Sequence, residues 1–294
     1  MNLPAKFPKL RPSECVLAAY FAYVAILPPF FPDRPHLKFQ PLLVLLAVTA
    51  LLALLAAGEQ RSRYASAISY VRDWLPIFLT VAAFREMEFF LPAQYSYSYE
   101  LTWARQDHWL LTICHARALI ETFGTLIPFY LELCYLLVYG LPVYCIGLLY
   151  TRNRRNLADL FLVIYLTGTL ASYALFPYFP SQPPRIVFPR WDDPSYSTCV
   201  RHLNLYVLRK ATIHVGVFPS AHVSSAFSAA WAMFLLLPQR KVFGSAFLFY
   251  AISVSVATIY GRYHYSADVL SGFAVSLLAG SLCLLLRPAP LSRI

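Results

Sequence analysis

Residues 218–268 read FPSAHVSSAFSAAWAMFLLLPQRKVFGSAFLFYAISVSVATIYGRYHYSAD. Two histidines, His222 and His264, stand 42 residues apart near its ends, and almost all of the chain between them is apolar. An α-helix rises about 1.5 Å per residue, so about 20 residues cross a hydrocarbon core that is about 30 Å thick. The stretch therefore predicts one membrane crossing in each direction, which returns the second histidine to the surface of the first.

The composition of the whole chain supports a membrane protein. Hydrophobic residues make up 59% and charged residues only 13%, and the mean hydropathy is +0.56. Backbone groups in lipid are satisfied only within helices or closed barrels, and the apolar runs here are long and continuous rather than short and alternating. The sequence thus predicts an all-α fold, a polytopic integral membrane helical bundle.

Eight apolar stretches are predicted to cross the membrane. They lie near 14–32, 40–57, 74–92, 124–150, 158–177, 220–237, 242–261 and 265–286. The fourth is longer than one straight span and contains Pro128, Gly140 and Pro142, so we expect it to tilt, kink or begin outside the bilayer. Four spans fall in residues 1–157 and four in residues 158–294.

Segment 94–120, which lies between two predicted spans, is rich in tyrosine and tryptophan. Such rings prefer the membrane interface, so the segment is predicted to lie along it. Anchoring the protein there and covering a functional site are both open roles for this segment.

The distribution of Lys and Arg predicts the topology. Thirteen of them flank the spans on the face of the termini and ten lie on the other face, five of these within the 178–219 loop. Because cytoplasmic segments carry the excess of short-loop Lys and Arg, both termini are predicted to be cytoplasmic and both histidines non-cytoplasmic. The net charge of +10 is then explained by attraction between basic segments beside the spans and anionic lipid headgroups, and it does not indicate a nucleic-acid partner.

Two features of the predicted outer half stay open. Cys114 and Cys199 both fall on the outer face, where an oxidising compartment would permit a disulfide. Arg85 and Glu132 lie within spans, where charges need a partner or water. An ion pair between these two residues, or a polar wall around a headgroup cavity, explains them equally well.

The residues around the two histidines are of the types that phosphoryl transfer needs. Asp268 follows His264 by four residues at the start of a span, so a carboxylate one helical turn away can fix the tautomer of the imidazole. Ser220 begins another span, whose first N–H groups are free to bind an anion. Arg185 and Arg262 are the candidate guanidinium ligands for phosphate. No metal ion or other cofactor is expected.

The motif Pro219-Ser220-x-His222, followed by His264-x-x-x-Asp268, resembles the type 2 phosphatidic acid phosphatase superfamily. Integral membrane members of that family cleave or transfer lipid phosphate without a metal. The resemblance implies that His264 becomes phosphorylated, that Asp268 orients it, and that His222 protonates the leaving group. It covers about residues 158–286, and therefore implies that 158–294 is the catalytic core.

Several positions depart from the family pattern and point to one branch. Tyr178 and Thr258 stand where a lysine and an arginine are usual, and Ala221 replaces a glycine. The run Arg262-Tyr263-His264-Tyr265-x-x-Asp268 is more similar to inositol phosphorylceramide synthase and related sphingolipid headgroup transferases. This resemblance implies transfer of a phosphate-linked headgroup from a phospholipid donor to a lipid hydroxyl.

Two alternatives to the transferase remain. One is a lipid phosphate phosphatase, for which water is the acceptor, and the other is a non-catalytic lipid-binding or transport membrane protein. In all three cases the expected partners are membrane lipids. For the enzymes we expect the two imidazoles within several Å of each other across a phosphate-sized gap, with Arg185 or Arg262 directed into it.

Overall fold

A computed structural model describes residues 8–34, 37–214 and 216–285, and within these ranges the chain is helical and contains no strand. The predicted all-α class is confirmed. The α-helices are α1 (Pro12–Ile26), α2 (Gln40–Arg61), α3 (Ala65–Glu86), α4 (Ser98–His108), α5 (Ala116–Glu121), α6 (Leu126–Leu137), α7 (Leu141–Thr151), α8 (Ala158–Leu175), α9 (Pro184–Val187), α10 (Cys199–Ala211), α11 (Ala221–Leu236), α12 (Lys241–Tyr260) and α13 (Ser266–Leu285).

Five helical segments are long and apolar enough to cross a membrane. They are Gln40–Arg61, Ala65–Phe90, Leu126–Thr151, Arg155–Leu175 and Pro238–Tyr260. The three other predicted spans correspond to shorter apolar helices, Pro12–Ile26, Ala221–Leu236 and Ser266–Leu282. Large apolar side chains on the outer face of α2, including Leu42, Leu43, Leu46 and Leu54, are exposed, as expected for a surface that faces lipid.

Two helices differ in extent from the predicted spans, for identifiable reasons. The first span was predicted to reach residue 32, but α1 ends at Ile26 because Pro28 and Pro29 follow it. The third span was predicted to begin at residue 74, just after the charged Arg72 and Asp73. The helix instead begins at Ala65 and carries both charges inside it.

The fourth predicted span is interrupted near its glycine and second proline by a 3₁₀ turn. Helix α6 ends at Leu137, a 3₁₀ turn covers Val138–Gly140, and α7 then begins at Leu141. Pro142 lies in the first turn of α7, where its missing N–H has no intrahelical partner to lose.

The segment predicted to lie along the interface folds against the protein. Helix α4 continues as one π-helical turn, Trp109–Ile113, and is followed by α5. Glu100 and Asp107 of α4 are buried, and α4 contacts both α9 and the helix α13. Segment 94–120 therefore lies over the beginning of α13.

A buried ionic cluster explains why charges remain inside α1 and α3. Asp73 accepts from Arg11 at 2.6 Å and from Arg155 at 2.7 Å, and Arg72 bonds Glu14 at 2.5 Å. Each charge is thus paired, which removes most of the cost of burial in an apolar surrounding. The cluster joins α1 and α3 to the turn before α8, on the face that the charge pattern assigns to the termini.

Helix α11 lies at the centre of the bundle, packed against α8, α12 and α13. Small residues permit this close packing. A Cβ atom on Gly168 of α8 would lie 2.0 Å from Ser228 Oγ of α11, and Ser224 Oγ of α11 donates to the Gly168 carbonyl at 2.8 Å. The backbones of α8 and α11 therefore approach more closely than a larger side chain would permit.

A second close approach joins the beginnings of α11 and α13. The Ser220 N–H donates to the Asp268 carbonyl at 2.9 Å, and a Cβ atom on Gly272 would lie 2.4 Å from the Ser220 carbonyl oxygen. This contact holds the first turn of α11, with His222, beside the first turn of α13. The two histidines are brought together by backbone packing.

We expect Gly272→Ala to destabilise the protein by about 1–3 kcal/mol and to lower its activity, because the added methyl group meets backbone that has little room to move. Unfolding of the purified protein in detergent and turnover of lipid measure the two effects. Gly280→Ala on the same helix is the matched control, since its nearest neighbour would be Trp231 Cδ1 at 3.5 Å. Equal tolerance of both substitutions would contradict this role of Gly272.

Candidate active site

The two histidines are in direct contact. His222 lies in the first turn of α11, and His264 lies in the loop 261–265 between α12 and α13. Nδ1 of His222 is 3.1 Å from Nε2 of His264. The spacing predicted that they share one end of the bundle, but the rings touch each other and are not separated by a phosphate-sized gap.

The partners of His264 define its tautomer. Nδ1 of His264 lies 3.1 Å from the Val217 carbonyl oxygen and 3.3 Å from Asp268 Oδ2. Both partners are acceptors, so Nδ1 carries the proton and donates, which leaves a lone pair on Nε2. The His222 ring then donates its Nδ1–H to that lone pair.

The environment of His264 keeps it neutral. Burial lowers the pKa of His264 well below its ordinary value, and the nearby His222 and Arg185 lower it further. The lone pair on Nε2 is therefore available at neutral pH. A neutral imidazole of this kind is a suitable nucleophile.

This depression of the pKa predicts a pH dependence. Because His264 is already neutral, its titration should not change kcat/KM above about pH 6.5, the ordinary pKa of histidine. Replacing Arg185 with glutamine removes a cation that lowers the pKa of His264, so the acid limb of the kcat/KM profile should move to higher pH. An acid limb that moved to lower pH in Arg185→Gln would contradict this electrostatic assignment.

A cavity of about 370 Å³ opens beside the histidine pair. His222, His264 and Arg185 line it at the inner end. Most of the remaining wall is apolar or aromatic, from α3, from α6 and the turn after it, and from α8 and the residue after it. These wall residues include Phe84, Tyr135, Tyr139, Tyr165, Tyr173 and Phe176. The cavity thus combines a polar, basic end with walls that fit hydrocarbon.

Of the two predicted guanidinium ligands, Arg185 is the one that lines this cavity. Its Nη2 lies 3.4 Å from Thr212 Oγ1, and its Cζ lies 5.6 Å from the Tyr263 ring centroid. Across the described ranges, no carboxylate is paired with it. Burial lowers the pKa of Arg185, but a guanidinium remains charged at neutral pH. An anion in the cavity would provide the missing counter-charge.

Arg262, the other predicted phosphate ligand, lies elsewhere. Its side chain is fully buried, its Nη1 donates to Asp107 Oδ2 at 2.9 Å, and it does not line the cavity. The Arg262 carbonyl accepts from the Arg185 N–H at 3.2 Å. Arg262 also has a left-handed backbone, with φ of 60°, at the turn before His264. Arg262 therefore lies outside the cavity, where its carbonyl group holds the backbone of Arg185 and its side chain fixes the turn that leads to His264.

Ser220 caps α11 and does not line the cavity. Its Oγ accepts from the Val223 N–H at 3.4 Å, and the residue is fully buried. Ala221 and His222 do line the cavity, and the N–H groups of these first two helical residues have no intrahelical acceptor. At this helix the first two residues line the cavity, whereas the Ser220 hydroxyl accepts from the helix backbone.

Tyrosines around His222 were not predicted as site residues. The Tyr135 ring stacks on His222 with centroids 5.1 Å apart, and Tyr139 meets it edge-on at 5.3 Å. Tyr263 in turn stacks on Tyr135 at 3.9 Å. The sequence signal was slight, since Tyr135 and Tyr139 show only the i, i+4 spacing of one helix face.

The open questions about charges and thiols are also resolved. Glu132 accepts from Arg201 Nη1 at 2.8 Å and does not pair with Arg85. Arg85 instead lines the cavity. Cys114 and Cys199 are both free and exposed, and no disulfide joins them.

Comparison with known proteins identifies a family for most of the chain. A family model described as the PAP2 superfamily matches residues 105–282. The match runs from α4 into α13 and contains every predicted site residue, and it begins well before residue 158, where the resemblance of the motifs starts. No curated protein and no solved structure shows a significant match to the chain.

Proposed function

Since the chain belongs to the PAP2 superfamily, we propose that it is a membrane enzyme that transfers phosphate or a phosphate-linked headgroup from a lipid, with His264 as the nucleophile. The observation that carries this proposal is the placement of His264 Nε2. It holds a lone pair at the wall of a largely apolar cavity, 3.1 Å from a second histidine.

In the first step, His264 Nε2 attacks the phosphorus of the donor lipid. The N–P bond forms while the bond from phosphorus to the leaving oxygen breaks. His222, which is protonated once the anionic lipid phosphate lies beside it, gives its proton to that oxygen. The imidazole of His264 becomes cationic, which Asp268 and the Val217 carbonyl stabilise at Nδ1–H. The product is a phosphohistidine and a released alcohol.

In the second step, a hydroxyl group of the acceptor attacks phosphorus. The N–P bond breaks and a new O–P bond forms, while His222, now neutral, takes the proton from the acceptor. The enzyme returns to its starting protonation state. Both steps require that a phosphate group replace the direct contact between the two rings, so the rings must separate when the lipid binds.

In this proposal the phosphate oxygens are held by residues that line the cavity. Arg185 supplies an unpaired guanidinium and the first turn of α11 supplies free N–H groups. We assign Ser220 to capping that turn and Arg262 to positioning, since neither lines the cavity. The chemistry of both steps is carried by side chains, and we propose that it proceeds without a metal ion.

We further propose that the acceptor is a lipid hydroxyl, as in inositol phosphorylceramide synthase. The motif Arg262-Tyr263-His264-Tyr265-x-x-Asp268 supports this branch, and the aromatic walls of the cavity favour an apolar acceptor. Aromatic walls also limit the access of water, which the transfer to a lipid requires.

The proposed enzyme has eight spans, which counts the three shorter apolar helices with the five long segments. Both termini face the cytoplasm and the histidine pair faces the opposite side, in agreement with the Lys and Arg pattern. Residues 158–294 form the catalytic core. The match from residue 105 supports an extension of that core back to the end of α4, the helix that contacts α13.

The acceptor is tested with purified protein, a phospholipid labelled in its headgroup phosphate, and a chelator. Transfer of label that requires an added lipid alcohol would support the headgroup transferase. Label released in buffer alone would identify a phosphatase instead. Binding of the lipid without release or transfer under either condition would overturn the enzymatic proposal and leave a lipid-binding protein.

A further inference from the structure

The described lining of the cavity carries three cations and no carboxylate. Arg185 lies at the inner end with the histidines, whereas Arg85 and Lys210 also line the cavity but are exposed. Their exposure places these two residues at the open end. Arg185 alone can pair with the phosphate that reacts. Arg85 and Lys210 therefore add positive charge that this phosphate does not account for.

Arg85 is held in position but not neutralised. Its Nη1 donates to the carbonyl oxygens of Ala211 at 3.1 Å and Thr212 at 3.4 Å. In the part of the chain that the structure describes, no carboxylate pairs with Arg85 or Lys210, and Glu88 is paired with His214. The remaining N–H groups of the Arg85 guanidinium are free to bind a ligand.

Thr212 connects the two ends of this basic surface. Its carbonyl oxygen contacts Arg85, and its Oγ1 lies 3.4 Å from Arg185 Nη2. Lys210 precedes it by two residues. The guanidinium groups of Arg85 and Arg185 thus both contact Thr212, and both residues line the same cavity. A single ligand can therefore contact both arginines. An apolar ligand with one phosphate would leave the outer pair of cations without a counter-charge.

We propose that Arg85 and Lys210 form a second anion-binding subsite at the mouth of the cavity, which binds an anionic lipid group other than the phosphate that reacts. The subsite selects lipids with two anionic groups, or it holds the headgroup of a neighbouring anionic lipid beside the substrate. The proposal deepens the proposed function and rests on it for its kinetic consequences. Arg85 lies on α3, outside the part of the chain that matches the family model.

The kinetic test compares two substrates with the same acyl chains, one with a single phosphate and one with a second anionic group, in neutral phosphatidylcholine vesicles. For the wild type, kcat/KM should favour the doubly anionic lipid. Arg85→Gln and Lys210→Gln should each lower this preference by about tenfold, the order of one charge-assisted hydrogen bond. The change should be in KM, and it should shrink as salt is added.

Two further variants make the comparison specific. Arg209→Gln is the matched control, because Arg209 is exposed beside Lys210 and does not line the cavity. Arg85→Lys retains the charge and should recover most of the preference. Vesicles that contain anionic lipid distinguish a second group on the substrate from the headgroup of a neighbouring lipid. If Arg85→Gln affects the singly charged substrate in these vesicles but not in neutral ones, the neighbouring headgroup is the ligand.

A binding measurement separates this proposal from the proposed function. His264→Ala protein in detergent, titrated with fluorescent forms of the two lipids, should bind the doubly anionic lipid more tightly, and Arg85→Gln should abolish the difference. This result does not depend on turnover. The second subsite would be overturned if Arg85→Gln and Lys210→Gln behaved like the control Arg209→Gln. That result would be equal effects on both lipids, in the binding measurement and in vesicles of either kind.

Discussion

Replacement of His264 with alanine is expected to lower transfer of labelled phosphate by about 10⁴-fold or more, because it removes the atom that bonds to phosphorus. The measurement is the initial rate with purified protein and a labelled lipid. His264→Asn keeps a polar side chain of similar size in the buried turn, and the same loss of rate is expected for it.

His202→Ala is the matched control for this prediction. His202 is exposed on α10 and lies 3.2 Å from Ser197 Oγ, away from the cavity lining. Its removal should leave the rate unchanged. If folded His264→Ala and His264→Asn proteins both kept the wild-type rate, the proposed nucleophile would be wrong.

Replacement of Asp107 with alanine is expected to lower the free energy of unfolding by about 3–5 kcal/mol, because it leaves the Arg262 guanidinium buried without its counter-charge. Both side chains of this pair are fully buried. Activity should fall as well, since the turn that follows Arg262 carries His264. Denaturant unfolding in detergent and turnover measure the two consequences.

The control and the rescue for Asp107 use other charged positions. Asp33→Ala removes an exposed partner of Arg34 and should cost less than about 1 kcal/mol. The double substitution Asp107→Leu with Arg262→Met removes both buried charges and should recover much of the stability lost in Asp107→Ala. A loss for Asp107→Ala no larger than that for Asp33→Ala would show that the pair contributes little.

The arrangement of the two histidines could be predicted because it depends on spacing alone. Two crossings of about 20 residues return the chain to one face whatever the helices pack against. The i, i+4 spacing of His264 and Asp268 likewise follows from helix geometry. The spacing does not predict the direct contact of the two rings, because that contact depends on the packing of Gly272 against Ser220.

The partners of the charged residues were beyond prediction for a physical reason. Arg262 pairs with Asp107, which is 155 residues away, and Glu132 pairs with Arg201, which is 69 residues away. The choice among distant partners is made by helix packing, which neither periodicity nor composition determines. For the same reason Arg262 was interpreted as a phosphate ligand, since its place two residues before His264 was visible and Asp107 was not.

The limits of the helices show a similar division. Prolines follow the end of α1, and Gly140 and Pro142 mark the 3₁₀ turn between α6 and α7, so both features have a local cause in the sequence. The beginning of α3 was misplaced because Arg72 and Asp73 resemble the end of a span. Both are buried in the structure by pairing with other helices, which a local pattern does not reveal.

The most direct test of the central claim is to locate the covalent phosphate. Protein that is mixed with labelled lipid and quenched with alkali during turnover should carry acid-labile phosphate on Nε2 of His264, as identified by mass spectrometry of the peptide. Asp268→Asn should show slower labelling at the same atom. Turnover with the label on another residue, or with no covalent label in a single-turnover experiment, would contradict the account.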